Sequence, residues 1–173
     1  MEIIHHRNFK QNPLNMDLAP DVLKQAYLLN DYFISAGTLL GFYRDHNFIS
    51  GDTDIDIDII GYDGIDEYLF KTLGHMDLIR TGYHEKRPMQ TAFIYQKTIF
   101  DVWILWREDN LMVNHNARGT MYTPAKFYDN PEKIKTQHGD YRAPGPIDEY
   151  LVFRYGPNWE TPTNSKGIYM HQV

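Results

Sequence analysis

The 173-residue chain contains no cysteine. That absence removes disulfides, thiolate zinc sites and cysteine nucleophiles from consideration. Long apolar runs are missing too. No stretch approaches the ~18 consecutive apolar residues of a membrane span, and the opening MEIIHHRNFKQNP holds no apolar block of signal-peptide length. The expected compartment is the cytoplasm, with no membrane span. Positive charge is in deficit: 17 Lys and Arg stand against 23 Asp and Glu, for a net −6. A chain so balanced lacks the electrostatic footprint of a general nucleic-acid binder. Several enzyme signatures are lacking as well. There is no Gly-x-Ser-x-Gly, no His-Glu-x-x-His among the eight histidines, and no Lys-Ser/Thr after Gly37-Thr38-Leu39-Leu40-Gly41. Serine-hydrolase, paired-histidine and P-loop readings therefore fall away. His5 and His6 have no third ligand at a metal-binding spacing and read as a solvated segment. His46 and His84 read as ordinary loop or strand positions.

What remains is the composition of a globular domain, 42% hydrophobic and 23% charged, with enough apolar material for a core and a length that suits one domain. Most of its tyrosines and tryptophans read as core packing. Trp159, between Pro157 and Pro162, is the aromatic to watch.

The most informative run is Asp54-Ile55-Asp56-Ile57-Asp58-Ile59-Ile60. Strict alternation is the strand period, so the aspartates share one face and the isoleucines the other. Asp is depleted in strands and like charges repel, so three on one face need a reason. A solvated edge strand is the plain reading. The sharper one is a hard-cation site, because carboxylate oxygens suit Mg²⁺, with Mn²⁺ as an alternative. Asp58 reads as structural rather than as a metal ligand. Upstream, Gly37-Thr38 follows the apolar pair Phe33-Ile34. A glycine lets backbone approach a ligand closely, and a hydroxyl with N–H groups at a helix start suits phosphate. Together these features point to metal-assisted phosphoryl or nucleotidyl transfer.

These same residues carry a family resemblance. Gly37-Thr38-Leu39-Leu40-Gly41, then Arg44, then Phe48-Ile49, then Asp52-Thr53-Asp54-Ile55-Asp56 is similar to the signature of the LicD/fukutin-type transferases of the nucleotidyltransferase-fold superfamily. The usual string has Gly, Pro, Trp and Asp where this chain has Asn47, Ser50, Gly51 and Thr53; the Asp-x-Asp pair is intact. Tyr150-Leu151 through Tyr155-Gly156 and Pro162 resembles the family's C-terminal pattern, so the likeness spans about residues 30 to 162.

The chain divides into an arm at 1–16, a domain at 17–162 and a tail at 163–173. Helical spacing of Val22, Leu23, Ala26 and Leu29 predicts a helix from Asp17 that extends toward Phe33. A short helix from Thr38 to about Tyr43 ends at Arg44. Helices are also predicted at 65–73 and at 147–155, the latter stopped by Gly156. Strands are predicted at 54–60, 78–83, 91–95, 99–105, 111–115 and 120–122, with shorter strands and turns over 124–141. The fold class is α+β: by resemblance, a nucleotidyltransferase-like mixed β-sheet flanked by helices in a single domain.

Asp101 lies alone in Ile-Phe-Asp-Val-Trp-Ile-Leu. Such a residue is costly to bury unless paired or coordinated. The resemblance implies that it is the third carboxylate, beside the Asp-x-Asp strand. It further implies a phosphotransferase in which Asp54, Asp56 and Asp101 hold Mg²⁺ and Asp101 serves the acceptor hydroxyl as base. Gly37 and Thr38 would hold donor phosphate, Arg44 would stabilise developing charge, and Asp52 would orient the loop. The donor would be a CDP-linked alcohol such as choline or a polyol phosphate, and the acceptor a glycan or small molecule. Two other readings stay open: transfer of a nucleoside monophosphate from a triphosphate to a small molecule or protein, and a non-catalytic binding subunit of the same fold.

Overall fold

A computed structural model describes residues 1–162; the predicted tail at 163–173 lies outside the described residues. The fold is α+β. Its centre is β3 (Asp54–Ile60), the alternating aspartate strand, which pairs in parallel with β6 (Thr98–Glu108). Every other pairing is antiparallel among the described residues. β2 (Tyr32–Ile34) flanks β3 on its free side. β5 (Arg87–Tyr95), β4 (Asp77–His84) and β1 (Glu2–His5) continue outward from β6, giving the order β1-β4-β5-β6-β3-β2. The far end of β6 turns away to pair with β7 (Leu111–Asn116), which pairs with β8 (Gly119–Pro124). A separate hairpin, β9 (Glu132–Thr136) with β10 (Gly139–Ala143), carries Arg142, whose guanidinium lies 4.5 Å above the Phe33 ring.

The isoleucine face of β3 does what its period demands. Ile55, Ile57 and Ile59 are fully or almost fully buried in the main core with Phe33, Phe100, Val102 and Leu151. Burying a side chain of this size contributes about 1.5–3 kcal/mol, so the register of β3 is strongly fixed: a one-residue slip would turn the isoleucines out of this core.

Four local readings of the sequence are corrected. The helix expected to run toward Phe33 is short: α1 (Ala19–Leu23) passes into a 3-10 turn at Lys24–Leu28, and Phe33 lies in β2. The helical run ends at Leu29, whose backbone is extended, and Asp31, at a φ of 51°, then turns the chain into that strand. The helix expected over 38–43 begins earlier, as α2 (Ala36–Leu40), and unwinds into a π-type turn at Gly41–Asp45. Within the stretch read as strands and turns, Lys126–Asp129 forms the one-turn helix α4, after α3 (Ile65–Thr72). Helix α5 (Ile147–Tyr155) ends at Gly156, as its composition implied.

The fourth concerns the segment read as an arm. Glu2–His5 is strand β1, and residues 6–14 then cross one end of the sheet. Arg7 pairs with Asp77 at 2.7 Å, Phe9 packs against the small cluster of Ile79, Ala92 and Ile99, and the Leu14 N–H donates to the Asp52 carbonyl at 2.6 Å. Asp77, Ile94, Ile99 and Asp54 form one registered row across β4, β5, β6 and β3. The segment follows that row as a strap.

Candidate metal centre

Asp56 and Asp101 are direct register partners on β3 and β6, and Asp54 lies one same-face position along β3. Partners in a parallel pair share a face, so the three carboxylates converge: one oxygen of each lies within 4.8 Å of the others. Asp54 and Asp56 retain some solvent contact, whereas Asp101 is only 2% exposed.

The protein spends many hydrogen bonds orienting these groups. Asp56 Oδ2 accepts from the Gly37 N–H at 3.2 Å, and Oδ1 accepts from Trp103 Nε1 at 3.2 Å. Its own N–H donates to Thr38 Oγ1 at 2.9 Å. Thr38 is almost fully buried, so its hydroxyl ties α2 to the aspartate strand and keeps its hydrogen for a further acceptor. The two glycines of the Gly-Thr-Leu-Leu-Gly string have distinct reasons. A Cβ on Gly37 would stand 2.7 Å from Asp52 Oδ2, and one on Gly41 would stand 2.6 Å from the Asn47 carbonyl. The preceding Ala36 adopts a φ of 43°, an uncommon conformation for a residue with a Cβ.

Asp101 is held from the opposite side. Its Oδ2 accepts from Gln90 Nε2 at 2.6 Å and from Arg80 Nη2 at 3.1 Å. Its Oδ1 is buried and has no hydrogen-bond partner among the described residues. Burial, assisted by the charge of Asp54, pushes the Asp101 carboxyl up to about 7 against the pull of Arg80 and Gln90. Burial, then Asp54, Asp101 and Asp52, push Asp56 well above its ordinary value. Without a cation, burial and the neighbouring acids favour the protonated forms of Asp56 and Asp101.

Of the other positions singled out in the sequence, Asp52 lies beside this centre, whereas Arg44, Asp58, Trp159, His6 and His84 have partners of their own. Asp52 accepts from the Thr53 N–H at 2.9 Å and faces Gly37. Arg44 directs Nε and Nη2 to the two oxygens of Asp45, both at 2.7 Å, so its fork is already occupied. Asp58 is taken up by Ser35 Oγ and Tyr128 OH, both at 2.7 Å, beneath the cluster. Trp159 packs against Tyr43 at 5.6 Å between ring centroids. His6 meets Thr81 and His84 stacks on His115; neither joins the carboxylates.

Gln90, Arg80 and Trp103 were not singled out in the sequence. Trp103 carried a signal, because it follows Asp101 by one strand period. A buried cation, Arg154 of α5, was also missed; it is 8% exposed and lies within the fields of Asp58 and Asp56.

The donor set fits a hard divalent cation. It is all carboxylate oxygen, without sulfur or imidazole. The unpartnered Asp101 Oδ1 supplies the second reason, since a buried carboxyl oxygen left without a partner is unfavourable.

Among known families, the one described as LicD/FKTN/FKRP, nucleotidyltransferase domain, matches residues 30–145, about two thirds of the chain. The matched region contains β2 through β10 and with them all three carboxylates. No curated protein matches the chain.

Proposed function

The chain belongs to the LicD/FKTN/FKRP family, and from that premise we propose a magnesium-dependent phosphotransferase that moves a phospho-alcohol from a CDP-linked donor to a glycan. The family points to a transferase of the phosphotransferase type. The observation that supports the cation-dependent part of this reading is the registered pair Asp56 and Asp101 with Asp54 beside it, a pure-oxygen cluster including one unmet buried oxygen; the CDP-linked donor and the glycan acceptor rest on the family resemblance.

In this proposal Asp54, Asp56 and Asp101 hold the cation. When bound, Mg²⁺ supplies charge neutralisation for the donor diphosphate. The chain's own residues do the rest. The Gly37 N–H and the Trp103 indole fix the rotation of Asp56. Thr38 locks the helix to the strand by accepting the Asp56 N–H, and in this proposal its hydroxyl hydrogen serves donor phosphate. Asp52 fills the space that a side chain on Gly37 would take, which keeps the loop close to the cluster. Arg44 reaches phosphate only by exchanging Asp45 for it, an exchange of one anion for another on the same planar fork.

The acceptor oxygen forms a bond to the phosphorus of the phospho-alcohol. The bond from that phosphorus to the bridging oxygen breaks and cytidine monophosphate leaves. The hydroxyl proton passes to a carboxylate of the cluster. The test is release of cytidine monophosphate from CDP-choline or a CDP-polyol in the presence of Mg²⁺ and a glycan acceptor. Release should require the cation and disappear in Asp54→Asn and Asp101→Asn. Release that persists in EDTA would sink the proposal.

A further inference from the structure

Arg80, Ala92, Asp101 and Asp56 form one registered row across β4, β5, β6 and β3. Ala92 offers only a methyl group and is fully buried. A larger side chain there would stand between Arg80 and Asp101. Over that low point, the Arg80 guanidinium crosses the width of β5 and reaches Asp101 Oδ2 at 3.1 Å. Gln90 approaches the same oxygen diagonally, from the position opposite Trp103, at 2.6 Å. Two donors therefore converge on one oxygen of the carboxylate, and that oxygen's lone pairs are filled. The other oxygen, Oδ1, is buried without a partner among the described residues.

From this asymmetry we infer that Asp101 binds the cation end-on through Oδ1 alone, and that Gln90 and Arg80 are positioning residues that enforce this by holding Oδ2. The inference rests on the metal-centre reading above. It adds a coordination mode and two residues. Gln90 is the more decisive of the pair, because it is itself buried, 7% exposed, and makes the shorter bond. Its neutral amide orients the carboxylate without adding charge. Arg80 orients too, and its charge offsets one of the three carboxylates. Free cation should therefore bind only moderately, while cation together with an anionic donor should bind better than either alone.

The experiment is Mn²⁺ titration by calorimetry and electron paramagnetic resonance, on wild type, Asp101→Asn, Gln90→Met and Arg80→Met. Methionine keeps an unbranched stem but removes the donor. Gln90→Met should weaken Mn²⁺ binding roughly tenfold or more, the usual consequence of losing an outer hydrogen-bond partner, and should lower the metal-free melting temperature as buried Asp101 loses a donor. Asp101→Asn should weaken it further. Arg80→Met should reduce the gain in Mn²⁺ affinity produced by added CDP. If wild type fails to bind Mn²⁺, the metal-centre reading itself falls and this inference with it. If wild type binds and Asp101→Asn does not, but Gln90→Met binds like wild type, only the positioning role is overturned.

Should Gln90→Met not fold, infrared difference spectra of wild type on Mg²⁺ binding read the coordination directly. The Asp101 bands are those missing from Asp101→Asn. A wide separation of symmetric and antisymmetric carboxylate stretches is expected for one-oxygen ligation. A narrow one, from two-oxygen ligation, would overturn the inference.

Discussion

Asp56 and Asp101 face each other across the parallel strand pair of the sheet, as direct register partners. Two carboxylates so placed repel, and each is raised by burial and by the other acids around it. Nothing in the stability of the domain asks for this arrangement. If the cluster serves a cation, substitutions there should separate groups that hold it from groups that serve the fold.

Asp54→Asn should abolish Mn²⁺ binding and leave the metal-free protein as stable as wild type or slightly more so. Asp54 is half-buried, and its charge raises both Asp56 and Asp101. Removing it relieves like-charge contact worth on the order of 1 kcal/mol. A clear fall in the metal-free melting temperature would make Asp54 structural.

Thr38→Val should destabilise the fold. The Thr38 hydroxyl accepts the Asp56 N–H in a nearly dry environment. Valine matches its shape and offers no acceptor, so a buried N–H is left unmet at a cost of about 1–3 kcal/mol. Urea unfolding would measure it. An unchanged midpoint would mean that water reaches that amide.

How much of this could be read from the sequence differs by residue. The shared face of Asp54, Asp56 and Asp58 follows from period 2, because alternation is a local property of one strand. The isolation of Asp101 among apolar neighbours says only that it needs a partner; its place beside the Asp-x-Asp strand follows from the family resemblance. Gln90 and Arg80 could not be found that way. Their role depends on β4 and β5 lying beside β6, a long-range order that no local period encodes. It also depends on an irregularity between Leu78 and Arg80 that resets the facing of β4. Phe33 misled for the opposite reason. Its spacing from Leu29 is helical, but the intervening Asp31 turns the chain into a strand. The pairing of Glu2–His5 with Arg80–Tyr83 joins distant segments without a turn signal between them.

Phe9→Ser should release the strap without melting the sheet. Phe9 packs against the small cluster of Ile79, Ala92 and Ile99, while its neighbours are held at Asp77 and Asp52. The loss should be about 1–2 kcal/mol, below the 3–5 kcal/mol of a full core Phe truncation because Phe9 is only partly buried. Hydrogen exchange at the Leu14 and His6 amides should quicken, while the β3–β6 ladder stays protected. Unchanged exchange at Leu14 would show that the Asp52 contact alone holds the segment.

The metal-free protein should lose stability as pH rises from about 4 to 7. Asp101 is raised by burial to about 7, and Asp56 is raised in the same direction. A carboxyl with a higher pKa folded than unfolded contributes fully below its unfolded value and loses that contribution as pH climbs through its folded value. The lowered values of His115 and His138, due first to burial, act the other way, adding stability as pH rises. The comparison is therefore wild type against Asp101→Asn, and the Asp101 part of the fall should vanish in the variant. Bound cation takes the anionic carboxylates, so its affinity should increase with pH over the same window. Identical pH profiles for wild type and variant would mean that Asp101 ionises normally.

With Mg²⁺ present, a CDP-linked alcohol should raise the melting temperature more than ATP or GTP does. Cytosine and the purines differ in size and in hydrogen-bonding edges, and a pocket built for one leaves polar groups unpaired against the other. A ligand at 100 times its dissociation constant adds about 2.7 kcal/mol, a readable shift. The cation requirement should be common to all of them, since each offers diphosphate oxygens to the same carboxylate cluster. Base preference is therefore the discriminating quantity, and cation dependence alone tests only the centre. Asp54→Asn supplies the control: it should remove the cation-dependent part of every shift and leave any base-stacking part in place. A strong response to ATP with none to CDP-linked ligands would replace the phosphotransferase reading by nucleotidyl transfer. Equally weak responses to every nucleotide, unchanged in Asp54→Asn, would point to a binding subunit that has kept the carboxylates without the reaction.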